Sequence, residues 1–204
     1  MYFFKTPFFF RLFFPKRKWG FSHIKNQVYL TFDDGPHPDI TPWILDELKN
    51  KNIKACFFCV GANVQKYPQL FLRIKEDGHQ VGNHSMFHNN SFKTTKKEYL
   101  NSILEADKVI QSKLFRPPYG RLQWNRANIL SKKYTIIMWT WLSYDFDISV
   151  SIEKIKAEAK KIKSGSIIVL HDNPKISERQ KLILPEIIAL IKEKGFTFGT
   201  IPIQ

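Results

Sequence analysis

A chain of 204 residues, 43% apolar and 15% aromatic, holds enough core-forming material for one domain and excludes intrinsic disorder. Its 32 Lys and Arg against 18 Asp and Glu leave a net charge of +14, which favours anionic surfaces. Lysine is spread along the whole chain, and no helix-turn-helix, zinc-finger or RNA-platform motif accompanies the charge, so no nucleic-acid partner is expected.

Residues 1–26 stand apart as a basic, Phe-rich segment in which Lys5, Arg11, Lys16, Arg17, Lys18 and Lys25 meet no acidic residue. The Phe run of 1–14 is broken by Lys5, Pro7 and Arg11. It is too short to span a bilayer, and it lacks the apolar core and small-residue cleavage site of a signal peptide. Two readings stay open. Basic residues beside aromatics suit peripheral contact with an anionic membrane surface, and the same Phe side chains suit a segment folded over the bottom of a barrel. Localisation stays open between the cytoplasm and a membrane facing the cell envelope.

From 27 to 204 the pattern alternates strand and helix. Val28–Phe32 reads as a strand that runs into Thr31-Phe32-Asp33-Asp34-Gly35-Pro36. At a strand's end the chain turns, so two adjacent carboxylates can enter one cleft, one to hold a cation and one to handle a proton. Thr41–Lys51 follows as a helix with Thr41 as N-cap and Pro42 in its first turn. Ala55–Val60 is a buried strand whose Cys56 and Cys59, an odd offset apart, face opposite sides. They read as two small buried hydrophobes, and no disulfide is expected. Tyr67–Asp77 is a helix stopped by Gly78, and His79–Gly82 leads into a short strand. After it, His84-Ser85-Met86-Phe87-His88 places two imidazoles on one turn, able to face a single metal, with Asp34 as the third ligand and one position left for water.

Thr95–Ser112 is an amphipathic helix with Tyr99, Ile103, Ala106 and Ile110 at helical spacing. Leu114–Arg116 is a short strand ending in Arg116-Pro117-Pro118-Tyr119-Gly120. The diproline stiffens this turn and fixes the direction of Arg116, whose guanidinium near Asp33 favours the charged carboxylate and holds it. The Tyr119 amide is free to donate. Ile136–Trp139 is a strand followed by Trp139 through Asp147, which supplies Asp145 as a carboxylate partner for His171. Ile152–Ile162 is a helix. Ile167–Leu170 is a strand that ends in His171-Asp172, with Ile167, Val169 and His171 on one side. Pro185–Lys194 is the last helix, capped by Gly195, and Phe196–Thr200 closes the chain as a strand. Strands alternating with helices call for a parallel sheet, with functional residues at the C-terminal strand ends.

Five motifs in this order, Thr31–Gly35, His84-Ser85-x-x-His88, Arg116–Tyr119, Trp139–Asp145 and Val169–Asp172, resemble those of the NodB-type polysaccharide deacetylases, carbohydrate esterase family 4. The resemblance runs from about Val28 to Phe198. It implies an α/β fold, a distorted (β/α) barrel with parallel strands and outer helices, over 27–204. It also implies metal-dependent removal of N-acetyl groups from polysaccharide or oligosaccharide containing N-acetylglucosamine, with peptidoglycan or another envelope glycan as substrate. In this pattern Asp33 is the general base, Asp34, His84 and His88 hold a divalent metal, and Arg116 orients the base. Tyr119 offers an oxyanion-binding amide, His171 is the general acid tuned by Asp145, and Val169 and Phe146 line the acetyl pocket. Zinc is the expected metal, with cobalt or another transition metal as alternatives. The chain departs from the family's Asp-x-x-Asp-Trp motif, with Leu142 at the first Asp and Phe146 at the Trp. A glycan-binding member with altered catalysis, or a hydrolase of a non-sugar amide on the same barrel, is the alternative reading.

Overall fold

Among the described residues, nine parallel strands form one curled sheet: β1 (Arg17–Lys18), β2 (Gln27–Asp33), β3 (Cys56–Cys59), β4 (Gln80–Asn83), β5 (Leu114–Phe115), β6 (Thr135–Ile137), β7 (Trp141–Leu142), β8 (Ile167–His171) and β9 (Thr197–Phe198). Their order is β1-β6-β5-β4-β3-β2-β8-β7, with β9 beside the start of β2. The computed structural model describes residues 2–203. Helices α1 (Phe9–Phe13), α2 (Thr41–Asn50), α3 (Gly61–Lys66), α4 (Pro68–Glu76), α5 (Lys96–Ile110), α6 (Trp124–Leu130), α7 (Ile152–Ala159) and α8 (Ser177–Glu193) connect them. The architecture is the distorted (β/α) barrel that the motifs implied.

Side-chain alternation divides the core into two layers. In β2 and β8 the register pairs are Tyr29 with Ile167, Thr31 with Val169, and Asp33 with His171. Tyr29 and Ile167 join Phe21, Cys56, Phe58, Leu114 and Ile137 in one apolar cluster inside the barrel. Leu30, Phe32, Ile168 and Leu170 point the other way and pack under the helices with Ile44, Leu48, Ile187 and Ile188. Strands buried on both faces explain the unbroken apolar runs in the sequence. The inner row turns from apolar to ionisable at its C-terminal end, where Asp33 and His171 stand side by side. Cys56 and Cys59 lie in separate clusters on opposite faces, as their spacing required, and burial pushes both thiols up and leaves them inert.

Beyond small shifts of element ends and the short elements α1, α3, α6, β1 and β7, which the sequence reading did not name, three elements differ from it. Ile40 is the N-cap of α2, and the Thr41 hydroxyl is committed elsewhere: it donates to Asp172 Oδ2 at 2.7 Å and accepts from the His37 N–H at 2.8 Å. The last helix begins at Ser177, eight residues before Pro185. Ile183, Leu184, Ile187, Ile188 and Ile191 are fully buried on its inner face, and this packing carries the helix through the proline. The closing strand is only Thr197–Phe198.

The basic N-terminal segment is woven into the sheet. Phe4 O accepts from Leu142 N–H at 2.9 Å, Thr6 N–H donates to Thr140 O at 3.0 Å, and β1 pairs with β6. Residues 4–18 thus run from β7 at one end of the strand order to β6 at the other, and Phe21 then plugs the N-terminal end of the barrel, its N–H on Gly165 O at 2.8 Å. Phe4, Trp19 and Phe21 are buried, whereas Phe8, Phe9, Leu12 and Phe13 are each more than half exposed.

Candidate active site

The C-terminal strand ends surround a cavity of about 480 Å³ lined by Asp33, Asp34, His84, His88, Tyr119, Trp139, Leu142, Phe146, Val169 and His171. Eight of the ten residues singled out from the sequence therefore meet in one place. The other two, Arg116 and Asp145, are fully buried behind the wall, each holding one of the groups in front of it.

Asp33 is almost completely buried, and its Oδ1 accepts from Arg116 Nη1 at 2.6 Å. The guanidinium is fixed from every side. Nη1 also donates to Thr31 Oγ1 at 2.7 Å, Nη2 to Met138 O at 3.1 Å and Nε to Ile137 O at 3.4 Å, and the plane lies 4.0 Å above the Phe58 ring. Across the register, both oxygens of Asp145 engage His171. Oδ2 accepts the backbone N–H at 2.8 Å, and Oδ1 meets Nδ1 at 2.7 Å. An Nδ1–H committed to Asp145 turns Nε2 toward the cavity. Burial works against a charge on His171, but Asp145, with Asp34 and Asp33 behind it, prevails and pushes its pKa up to about 10. His171 is a protonated ring at neutral pH, opposite a carboxylate.

In the same cavity lies a donor set. The ligand atoms of Asp34, His84 and His88 fall within 4.8 Å of one another. Asp34 Oδ1 is buried without a hydrogen-bond partner, with His88 Nε2 at 3.2 Å and His84 Nε2 at 3.7 Å. His84 Nδ1 sits 2.8 Å from Arg116 O, so it carries the proton and leaves Nε2 bare. Burial pushes His84 down to about 4, which keeps the ring neutral. Burial also opposes the charge on Asp34, but the surrounding His88, His171 and His84 hold its carboxyl below the usual carboxylate range. An orphaned anionic oxygen facing two imidazoles is the donor set of a divalent transition metal, and these residues fit one.

The backbone around the site is strained. Of the eight described non-glycine residues with positive φ, five (Asp34, Ser85, His88, Tyr119 and Tyr144) stand on loops at this end of the barrel. Gly35 cannot be replaced without moving Asp172: a Cβ there would stand 1.8 Å from Asp172 Oδ2, while Oδ1 accepts the Gly35 N–H at 2.8 Å. Gly120 N–H and Arg121 N–H donate to Pro117 O and Pro118 O, which leaves the Tyr119 amide outside the turn's own hydrogen bonds. Val169 is buried in the cavity wall, and Phe146 stands edge-to-face with His171 at 5.0 Å.

Several supporting residues were not recognised from the sequence. Asn63 Nδ2 donates to Asp34 O at 2.8 Å, and Asn173 Nδ2 reaches Asp34 Oδ2 at 3.4 Å. Asn173 directly follows the His171-Asp172 motif, which is the signal that marks it. Asn63 lies on α3, an element the periodicity did not reveal. Asp172 and Thr41 together fasten the Gly35 turn.

A family model described as polysaccharide deacetylase matches residues 22–135. A peptidoglycan-N-acetylglucosamine deacetylase of Bacillus cereus is 35% identical over 187 residues, spanning 87% of this chain and 68% of that protein. The crystal structure of the Bc1960 peptidoglycan N-acetylglucosamine deacetylase superposes with a TM-score of 0.88 at 33% identity, over 97% of this chain and 95% of that one. A Bacillus anthracis protein described as a CE4 family pseudoenzyme superposes with a TM-score of 0.78 at 25% identity, over 90% of this chain and 66% of that one.

Proposed function

The chain belongs to the polysaccharide deacetylase family, and on that premise we propose that it hydrolyses the N-acetyl amide of N-acetylglucosamine units in an envelope polysaccharide, peptidoglycan first. One observation carries the reading: Asp33 and His171 are register neighbours, each locked by its own buried partner, in the same cavity as the Asp34/His84/His88 donor set.

Zinc is the metal this donor set suits best, with cobalt or another transition metal able to replace it, and a divalent ion there supplies Lewis-acid polarisation and activates water. Asp33 accepts the proton of the attacking water, and Arg116 keeps that carboxylate aimed. The Tyr119 N–H donates to the oxygen that gains charge as the carbonyl carbon becomes tetrahedral, a contribution of about 3 kcal/mol for one such donor. His171 Nε2–H protonates the nitrogen as the C–N bond breaks, which releases acetate and a free amino sugar. Leu142, Phe146 and Val169 enclose the methyl group. The larger exposed rings at the mouth, Phe87 and Tyr119, are placed to meet sugar faces.

The partners on this reading are an N-acetylated polysaccharide or oligosaccharide at the mouth and, through the N-terminal segment, an anionic membrane surface. A pseudoenzyme on the same fold gives the binding-only alternative its weight. Against it, both proton-transfer residues here keep their partners. Mass spectrometry of N-acetylated glycans incubated with the protein, with and without chelator, separates the two: a loss of ~42 Da per sugar, abolished by chelator, supports hydrolysis, and unchanged glycans refute it.

A further inference from the structure

A second cavity, of about 400 Å³, opens at the N-terminal end of the barrel, away from the chemistry. Lys5, Arg11, Lys161 and Lys163 line it, and no acidic residue does. Lys161 is paired with Glu158 at 2.7 Å, but Lys5, Arg11 and Lys163 have no ion-pair partner among the described residues. Cations facing one cavity without a counter-charge repel one another, and an anion relieves that. Hydroxyl donors are at hand in Ser22 and Ser166. The wall is built for close approach: a Cβ on Gly20 would stand 2.8 Å from Thr140 Cγ2 and 3.4 Å from Arg11 Nη2.

The rim of this cavity is apolar. Phe8 lines it and opens α1, which buries none of its own residues and holds to the barrel through Phe10, at 5.9 Å from the Trp19 ring. Phe8, Phe9, Leu12 and Phe13 remain on the outside. Aromatic and aliphatic side chains exposed beside a basic pocket are the composition of an interfacial contact rather than of a polar surface loop.

We infer that the cavity takes the phosphate of an anionic phospholipid headgroup while Phe8, Phe9, Leu12 and Phe13 enter the headgroup–acyl boundary. The chain then docks by its N-terminal rim. Ser166 directly precedes β8 and His171 ends it, a separation of roughly 17 Å at about 3.3 Å per residue. The catalytic mouth therefore opens away from the bilayer, toward a polymer outside it. This inference rests on the membrane contact proposed above and not on deacetylation.

The test is co-sedimentation of the full chain with phosphatidylcholine vesicles, with and without about one-third phosphatidylglycerol. Binding to the anionic vesicles, weakened by salt, is expected. Arg11→Ala with Lys163→Ala weakens it roughly 30-fold, the combined effect of two basic contacts at an anionic surface. The charge-matched pair Lys96→Ala with Lys97→Ala on α5 changes it less than about threefold. Phe9→Ser with Leu12→Ser also releases the protein, and every variant retains hydrolysis of a soluble oligosaccharide. Equal losses in the two charge pairs, or full binding without Arg11 and Lys163, overturn the headgroup site and leave the membrane contact standing. Absence of binding to any vesicle overturns both. A rise in Tm with inorganic phosphate and no vesicle binding assigns the cavity to a soluble phosphate and refutes the lipid.

Discussion

Replacing Arg116 with methionine isolates the ion pair behind Asp33, the proposed base. The guanidinium is completely buried and makes hydrogen bonds to Asp33, Thr31, Met138 and Ile137. Asp33 is itself only 4% exposed, so the variant strands a carboxylate in the barrel without its counter-charge. Breaking a buried pair in this way costs about 3–5 kcal/mol, a large share of the roughly 5–15 kcal/mol that holds a domain together. Urea unfolding in the presence of chelator reads this cost free of metal linkage, and the midpoint falls while the slope stays constant. Adding Asp33→Asn removes the stranded charge. The double variant should recover about 2 kcal/mol or more over Arg116→Met alone, a coupling expected of groups in direct contact, and should remain inactive. The reasoning is refuted if Arg116→Met stays within about 1 kcal/mol of the parent, or if Asp33→Asn adds its own full loss on top.

Metal removal gives a second readout. At a metal concentration about 100 times Kd the folded state gains about 2.7 kcal/mol, so chelation should lower Tm by roughly 5–11 °C in a domain of this size, and His84→Ala should abolish the difference. Asp145→Asn tests the proposed acid, His171. Asp145 raises the His171 pKa, so its loss lets the proton leave at lower pH: the basic limb of kcat/KM should move toward neutrality and kcat should fall about 10²-fold. An unmoved limb contradicts the assignment. His79 lies outside the site, and burial, helped by Lys54, pushes it down to about 4. Its unfolded form takes up a proton first, so stability present above pH 6.5 is lost as pH falls toward 4, and His79→Asn should flatten that fall in Tm measured in chelator.

The motif-bearing half of the site was legible because its residues are adjacent in sequence at strand ends. Asp33 ends β2 with Asp34 in the turn after it, His84 and His88 follow β4, and His171 ends β8, so strand ends and the turns beyond them aim these residues. The helices were legible where a cap and a periodic face coincide, as in α5, where Thr95 and Glu98 exchange hydrogen bonds. The remainder depends on contacts made far along the chain. Thr41 looked like a cap, but its hydroxyl is claimed by Asp172, 131 residues away. Asn63 serves Asp34 from α3, a helix of six residues that is too short to show a period. Pro185 read as a helix start because the burial that overrides its missing N–H belongs to the sheet beneath it. The N-terminal segment gave two readings because it has both properties: Phe4 and Phe21 fill the barrel, and Phe8 through Phe13 include the exposed rings.

The most direct test of the division of labour between the adjacent carboxylates is acetate release by Asp33→Asn and Asp34→Asn, measured with metal content on the same samples. The account predicts that Asp33→Asn retains metal and loses deacetylation by about 10²-fold or more, while Asp34→Asn loses both. Full activity with Asn at position 33, or loss of metal from that variant with retention in Asp34→Asn, would contradict it.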